Sequence, residues 1–347
     1  MKKTFYILIS LAFFFSFFFF PSLDKEGLGA VEVEAATYER LFYFREGPNA
    51  RESFFAHPNS IDIFAPQTYS VNGDGYLNGT VKPDLLEFSK KNNIKIMPLL
   101  TNGSFSQSDG HTLLDDTDKQ DILIANLIQE AKDFNYIGWQ IDFEQMELAY
   151  RDRFSTFIER IYTEFQKNNL QLSVAVIAQI SENPNDYPKN LWQRIIGVYD
   201  YARLASSTDF ISLMSYDDPN SLGPVAGRKW LEKVIIHSLT LIPKEKISLG
   251  LAFYYWRWDD AAMKRVGIGG NENLDNLMKE HNLKFYYDID EQAPYFHFWD
   301  KGKSSTGWYE NARSIGYKIS LIKKYGLRGF SGWALGLELS SVYSVMN

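Results

Sequence analysis

The sequence predicts an α/β protein, a (β/α)8 TIM barrel with a small α+β insertion between its seventh and eighth strands. Short apolar runs follow one another from residue 40 onward, and helix-like segments separate them, as expected of parallel strands joined by helices. There are eight such runs, the number that closes a barrel. About seventy residues separate the last two runs, which is too long for one connecting helix and predicts the insertion.

The eight predicted strands are short and mostly apolar, which is typical of a sheet buried on both faces. In chain order they span residues 41–45, 61–66, 94–100, 136–144, 171–178, 210–216, 247–253 and 327–333. Within the long connection before the last strand, residues 284–288 and 295–299 predict a small antiparallel pair. Residues 68–80 are rich in Gly, Asn and Tyr and predict a loop at the barrel mouth.

Length and composition limit the class of protein. The chain has 347 residues, which suits one barrel with an insertion, and residues 37–347 are predicted to form a single domain. A formal net charge of -7, without a basic run or basic-aromatic stripe, argues against a nucleic-acid partner. Cysteine is absent, and the five histidines show no metal-ligand spacing. We therefore expect neither a metal nor another cofactor.

Residues 1–36 have the features of an export segment. Lysines at positions 2 and 3 precede an apolar run that spans residues 5–20. This run is short for a membrane span, and the first small-residue cleavage site, at residues 35–36, lies well beyond it. Two interpretations stay open, a cleaved secretory signal or an amino-terminal membrane anchor with a short linker. Either one predicts a secreted or envelope-associated protein.

The most informative segment is the fourth predicted strand, which ends in polar residues. Side chains alternate between faces along a strand, so Gln140, Asp142 and Glu144 share one face and Ile141 and Phe143 share the other. A parallel strand in a barrel buries both faces, and buried carboxylates cost free energy unless function requires them. The carboxyl ends of barrel strands carry the active site, so Glu144 lies where catalysis is expected. The alternative is a solvent-facing antiparallel strand.

The same segment resembles the signature strand of family-18 glycoside hydrolases, the chitinases and related N-acetylglucosaminidases. The pattern of that strand is approximately D-G-x-D-x-D-x-E. This chain matches the pattern at Gly138, Asp142 and Glu144, and it departs from it at Ile137 and Gln140. The resemblance implies a catalytic barrel over residues 37–347.

Two further strand ends resemble motifs of the same family. The sixth strand ends in residues 214–217, which read M-S-Y-D and are similar to the family motif M-x-Y-D. The eighth ends in Trp333, similar to the closing tryptophan that floors the sugar site. A plain core position is the alternative for Trp333. Because the ends of parallel strands meet at one mouth of a barrel, these motifs and the signature strand are expected to converge on one cleft.

The resemblance implies a role for each catalytic candidate. Glu144 would protonate the glycosidic oxygen as the bond to C1 breaks, because that oxygen is a poor leaving group. In family 18 the 2-acetamido oxygen of the substrate itself attacks C1, and Asp142 would orient and stabilise that group. Tyr216 would hydrogen-bond the acetamido carbonyl. Trp333 would offer an apolar face to the sugar ring.

Four more residues, Gln140, Met214, Asp217 and Tyr69, are expected to bind the substrate. Asp217 would anchor the sugar or hold neighbouring side chains. Tyr69, in the predicted loop after the second strand, would line a subsite or pack beneath that loop. Gln140 replaces an acidic residue of the family pattern and makes hydrogen bonds without changing charge, so Asp142 is expected to stay an anion.

The resemblance, together with the export segment, implies an exported glycoside hydrolase that cleaves β-linked N-acetylglucosamine-containing glycans by retaining, substrate-assisted catalysis. Chitin oligomers, peptidoglycan and N-glycan cores all present a 2-acetamido sugar and are candidate substrates. Residues 223–227, which read G-P-V-A-G, and Trp230 are similar to a bacterial subgroup that includes cell-wall and spore-cortex glucosaminidases. We expect a monomer that binds a 2-acetamido-sugar polymer or oligosaccharide. The alternative, suggested by Ile137 and Gln140, is a glycan-binding barrel with weak or no catalysis.

Overall fold

The structure is a computed structural model, and it describes residues 38–281, 283–300 and 302–346. The segment 1–36, interpreted above as a signal or an anchor, lies outside the described residues. Of the helices in the described ranges, none is both long enough and apolar enough to cross a membrane.

The described residues form sixteen strands and nine α-helices. In chain order the strands are β1 Glu39–Phe44, β2 Ile63–Pro66, β3 Tyr69–Val71, β4 Leu77–Gly79, β5 Lys95–Ile96, β6 Leu99–Asn102, β7 Gly138–Asp142, β8 Gln171–Ile177, β9 Phe210–Met214, β10 Ile247–Ala252, β11 Tyr255–Asp259, β12 Lys264–Gly269, β13 Lys284–Asp288, β14 Ala293–Asp300, β15 Lys303–Trp308 and β16 Gly329–Trp333. The helices are α1 Pro48–Ala56, α2 Pro83–Lys91, α3 Gln107–Leu114, α4 Thr117–Phe134, α5 Arg151–Lys167, α6 Tyr201–Ser206, α7 Arg228–Leu239, α8 Asn271–Glu280 and α9 Ala312–Tyr325.

Eight strand positions build a closed parallel barrel. Strand β1 pairs with β2 and β16, and β7, β8, β9, β10 and β16 pair in that order. The third position is split into β5, which pairs with β2, and β6, which pairs with β7. Across the split, Met97 N–H bonds to Phe64 O and Gln140 N–H bonds to Pro98 O, both at 3.0 Å. The predicted (β/α)8 TIM barrel is therefore confirmed.

Both faces of the signature strand are buried, which rules out the solvent-facing alternative. On the outer face the indole N–H of Trp139 donates to Leu127 O of α4 at 2.9 Å. The ring of Phe143 lies 6.2 Å from Phe154 and 5.9 Å from Phe157, both in α5. These contacts fix the parity of β7, so its polar residues point into the barrel.

Residues just before β7 and at its first position determine where this strand begins and how it pairs with β8. Asp116 caps α4 by accepting backbone N–H groups of the next turn, and Asn135 ends the helix in the left-handed conformation at a φ of 57°. Gly138 then begins β7. A Cβ at this glycine would lie 1.8 Å from Gln171 O on β8, so the absence of a side chain allows the two strands to pair.

Two segments differ from the sequence prediction. Residues 68–80, predicted as a loop, contain the hairpin β3–β4, and β3 adds in parallel to β6. The insertion is larger than predicted, since β11 to β15 form a five-stranded sheet in the order β12-β11-β15-β14-β13, beside α8. Strand β11 was missed because it follows β10 almost directly, and β12 because its mostly exposed residues lack an apolar pattern.

Candidate active site

A cavity of about 280 Å³ opens at the carboxyl ends of the barrel strands. Six of the eight residues selected from the sequence line it, namely Asp142, Glu144, Met214, Tyr216, Asp217 and Trp333. The other lining residues are Tyr43, Arg45, Gln67, Leu99, Phe105, Ala175 and Tyr254. The structure thus brings the ends of β7, β9 and β16 together at one site, as their order in the barrel requires.

Glu144 follows β7 and is half-buried at the cavity wall. Burial raises the pKa of its carboxyl group to about 7, and the negative charge of Asp217 adds to the effect. A carboxyl group with such a pKa is protonated in a large fraction of molecules at neutral pH. Glu144 can therefore donate a proton to a leaving group, which an ordinary exposed glutamate cannot do at this pH.

Asp142 is 3% exposed, and its Oδ1 has no hydrogen-bond partner among the described residues. Burial raises the pKa of Asp142 well above its usual range, and the charge of Glu144 raises it further. Both effects act against the expectation that Asp142 stays an anion. The neutral side chain of Gln140 removes one like charge, but burial and Glu144 dominate. The two carboxyl groups titrate as a pair, which favours retention of a proton between them.

Gln140 does not line the cavity and lies beneath it, fully buried inside the barrel. Its Nε2 donates to Ser173 Oγ at 2.9 Å and to Ser212 Oγ at 2.8 Å. Ser331 Oγ joins the same network, 2.8 Å from Ser212 Oγ and 2.6 Å from Ser248 Oγ. The structure thus places Gln140 in a buried hydrogen-bond network and not at the cavity where substrate contact was expected.

Tyr216 and Asp217 continue from the end of β9 into the cavity. Burial raises the pKa of Tyr216 well above its usual range, so its hydroxyl keeps a proton to donate. Asp217 adopts a left-handed φ of 61° and accepts a 2.6 Å hydrogen bond from the Tyr254 hydroxyl. Part of Asp217 is exposed, but loss of water around its carboxylate raises its pKa, and the Tyr254 bond and the charge of Arg265 oppose that rise.

Trp333 ends β16 as predicted and is half-buried, with one part facing the cavity. Its ring packs 5.3 Å from the ring of Tyr43 on β1. The sequence prediction missed Tyr43, Arg45 and Tyr254, although each lies at or just after the end of a barrel strand. Their position at strand ends was the signal that could have identified them.

Tyr69 lies outside the cavity, so its expected role in a subsite is wrong. The residue is 2% exposed, and its hydroxyl donates to Glu130 Oε1 at 2.7 Å and lies 3.0 Å from the hydroxyl of Tyr136. Its ring contacts Trp139 edge to face at 4.9 Å. The reason is that residue 69 begins β3, which directs the side chain toward α4 instead of toward the barrel mouth.

Carboxyl groups with raised pKa values, a tyrosine hydroxyl and a tryptophan ring thus share one barrel mouth. Over the ranges that the structure describes, no group of three or more His, Asp or Glu side chains is placed to hold a metal ion. A (β/α)8 barrel whose mouth places a carboxyl group of raised pKa beside a second one is the arrangement that glycoside hydrolases use. The model of the glycosyl hydrolases family 18 matches residues 53–338. The chain belongs to this family.

Two similar proteins come from Bacillus subtilis (strain 168). The chain is 26% identical over 355 residues to the uncharacterized glycosylase YvbX of Bacillus subtilis (strain 168), covering 100% of this chain and 98% of that protein. It is 25% identical over 284 residues to the cortical fragment-lytic enzyme of the same organism, covering 78% of this chain and 64% of that enzyme.

Two solved structures share the fold of this chain. A chitinase from Chromobacterium violaceum ATCC 12472 has a TM-score of 0.79 at 26% identity, covering 89% of this chain and 98% of that chain. The spore cortex-lytic enzyme SleL of Bacillus megaterium QM B1551 has a TM-score of 0.78 at 25% identity, covering 89% of this chain and 73% of that chain. The chain is therefore similar both to a chitinase and to cortex-lytic enzymes.

Proposed function

We propose that the protein is an exported, monomeric hydrolase of β-linked 2-acetamido glycans that acts with retention by substrate-assisted catalysis. The convergence of Asp142, Glu144, Tyr216 and Trp333 on one cavity carries the proposal. Membership of family 18 and the raised pKa of Glu144 support it. Export rests on the basic and apolar segment at residues 1–20.

In the first step, Glu144 donates its proton to the glycosidic oxygen while the bond from that oxygen to C1 breaks. The carbonyl oxygen of the 2-acetamido group attacks C1 from the opposite face and forms a cyclic intermediate with positive charge. Tyr216 donates a hydrogen bond to that carbonyl oxygen, and the Asp142 carboxyl group accepts one from the acetamido N–H. Trp333 supports the ring.

In the second step, the ionised Glu144 accepts a proton from water while the water oxygen bonds to C1 and the acetamido oxygen leaves. Two successive attacks on opposite faces restore the original configuration at C1. Glu144 is protonated again, which completes the cycle. A pKa of about 7 suits a group that donates in one step and accepts in the other.

Peptidoglycan-type strands are the substrate that we favour over chitin. Arg45 lines the cavity, and no ion pair within the described parts of the chain includes it. A neutral chitin chain offers no group that needs this cation, whereas peptidoglycan carries carboxylates on its lactyl ethers or stem peptides. The similarity to cortex-lytic enzymes agrees with this choice.

The test is incubation of purified protein with chitin oligosaccharides and with purified peptidoglycan, followed by mass spectrometry of the products. We expect cleavage by the unaltered protein and none by Glu144→Gln, which keeps size and removes the proton donor. Arg45→Gln should raise KM for peptidoglycan fragments and leave chitin oligosaccharides unaffected. Binding of saccharide without cleavage, equal in the unaltered protein and in Glu144→Gln, would instead favour a glycan-binding protein.

A further inference from the structure

Asn102 ends β6, the strand next to the one that leads to Glu144. Its side chain is fully buried, and its amide contacts the backbone of Glu144 at two points. Oδ1 accepts the Glu144 N–H at 3.0 Å, and Nδ2 donates to Glu144 O at 2.9 Å. Because a backbone N–H only donates and a carbonyl only accepts, the two bonds fix the orientation of the amide.

These bonds begin where regular strand pairing ends. Strands β6 and β7 pair as far as Thr101 and Asp142. Just beyond Glu144, Gln145 has a φ of 57°, so the chain turns away from the sheet. The side chain of Asn102 therefore replaces a strand residue as the hydrogen-bonding partner of Glu144, at a point where the sheet no longer supports that backbone.

Asn102 is itself held from a second direction. Its Nδ2 also donates to Ser106 O at 2.9 Å, just before α3. Helix α3 approaches closely at Gly110, where an added Cβ would lie 3.2 Å from Nδ2. The carbonyl of Phe143, next to Glu144, accepts a 2.8 Å bond from the buried hydroxyl of Tyr199. The backbone of residues 143–144 is thus fixed by two side chains from different parts of the chain.

We propose that Asn102 is a positioning residue: its amide holds the backbone of Glu144 and so places the Glu144 carboxyl group for proton transfer to the glycosidic oxygen. This inference rests on the hydrolase function proposed above. Asn102 does not line the cavity, so it acts through Glu144 and not on the substrate. A general acid must lie within hydrogen-bonding distance of the oxygen that it protonates, and a displacement of about 1 Å can cost on the order of 10²-fold in rate.

Kinetics of the full chain on two substrates test this role. Asn102→Ala removes both bonds to Glu144, and the nearly isosteric Asn102→Asp removes the donor alone. An N-acetylglucosamine oligosaccharide has a leaving group that needs protonation, whereas an aryl glycoside of the same sugar releases a phenolate that does not. We expect kcat/KM to fall roughly 10- to 100-fold on the oligosaccharide, through kcat and not KM, and far less on the aryl glycoside.

The pH profile gives an independent readout. Asn102→Asp adds a further carboxyl group near Glu144, and a like charge raises the pKa of its neighbour, so the basic limb should move to higher pH. Gln107→Ala is the matched control, because Gln107 Nε2 donates to the carbonyl of Gln145 at 3.1 Å, one residue beyond Glu144. This control should leave both substrates and the pH profile unchanged.

Equal losses on the two substrates, or rates like those of the unaltered protein in both Asn102 variants, would overturn the inference. If Asn102→Ala does not fold, Asn102→Asp decides, because it preserves the volume and the bond from the Glu144 N–H. Inactivity of the unaltered protein on every 2-acetamido glycan would overturn the proposed function, and this inference with it. Activity of the unaltered protein with equal losses in the variants overturns the inference alone.

Discussion

Glu144 is the proposed acid, and its surroundings in the cavity determine its protonation. Its pKa of about 7 arises from burial and from the charge of Asp217. Because the proposed acid must be protonated, kcat/KM should fall about tenfold per pH unit above this pKa. Asp217→Asn removes the neighbouring charge and should move this limb to lower pH. Profiles of kcat/KM against pH check both statements, and a flat profile across neutral pH would contradict the role of Glu144.

The substitution Gln140→Glu tests how a further carboxyl group inside the barrel affects stability. Gln140→Glu keeps the shape, but it replaces the donor to Ser173 and Ser212 with an oxygen and adds a carboxyl group near Asp142. We expect a loss of about 1–3 kcal/mol in the free energy of unfolding. Burial raises the folded-state pKa of the new carboxyl group above its unfolded value, so the loss should grow as pH rises above about 4.

Urea unfolding at acidic and at alkaline pH measures this difference. Gln107→Glu, at an exposed glutamine, is the control and should change the free energy of unfolding by less than about 0.5 kcal/mol. Equal stability of Gln140→Glu and the unaltered protein at both pH values would show that the barrel interior tolerates a third carboxyl group. Electrostatics would then not explain why position 140 holds a neutral residue.

The site residues divide according to what determines their position. Asp142 and Glu144 were found because strand alternation alone puts them on the inner face. Tyr69 was misplaced because the direction of its side chain depends on β3, whose pairing with β6 is a long-range contact. Asn102 was missed because its side chain bonds to the backbone of Glu144. Every residue has a backbone, so such a contact leaves no pattern of residue types in the sequence.

At the scale of elements, helix α9 connects the insertion to the last barrel strand, and Asn311 starts it. The Asn311 side chain accepts the N–H groups of Arg313 and Ser314, and Ser314 Oγ accepts the N–H of Asn311 at 3.0 Å, which forms a capping box. Asn311→Ala should therefore lower the free energy of unfolding by about 1 kcal/mol and leave kcat/KM unchanged.

Urea unfolding and a kinetic assay check the Asn311 prediction together. Asn311→Asp keeps an acceptor at the cap and should retain most of the stability. A fall in kcat/KM with unchanged stability would mean instead that α9 positions the active site. Such a result would be unexpected, because α9 packs on the outside of β10 and β16, on the side away from the cavity.

Strand prediction succeeded where an element is determined by its own residues. Strand β13 was predicted with its observed limits, because its three consecutive aromatic residues, 285–287, favour a strand by themselves. The third barrel strand was predicted as one piece but is interrupted at Met97 and Pro98. That interruption reflects a change of partner from β2 to β7, which only the closed barrel determines.

At the scale of the whole molecule, a buried ion pair links the barrel to the boundary of the insertion. Glu310 follows the insertion strand β15 and is 5% exposed, while Lys318 lies in α9 and is 2% exposed. Lys318 Nζ bonds to Glu310 Oε1, and Glu310 Oε2 has no partner within the described chain. An ion pair in this environment depends on both members, because either charge alone would be buried without compensation.

Lys318→Met should therefore destabilise the protein strongly, by about 3–5 kcal/mol, because it leaves the carboxyl group of Glu310 buried alone. The double variant Glu310→Leu with Lys318→Met removes both charges and should recover most of that loss. Urea unfolding followed by tryptophan fluorescence measures both, since tryptophans lie in the barrel and in the insertion. We expect one cooperative transition in the unaltered protein, because the pair links α9 of the barrel to Glu310 at the boundary of the insertion. Two separate transitions in Lys318→Met would show that the pair couples the folding of the two parts.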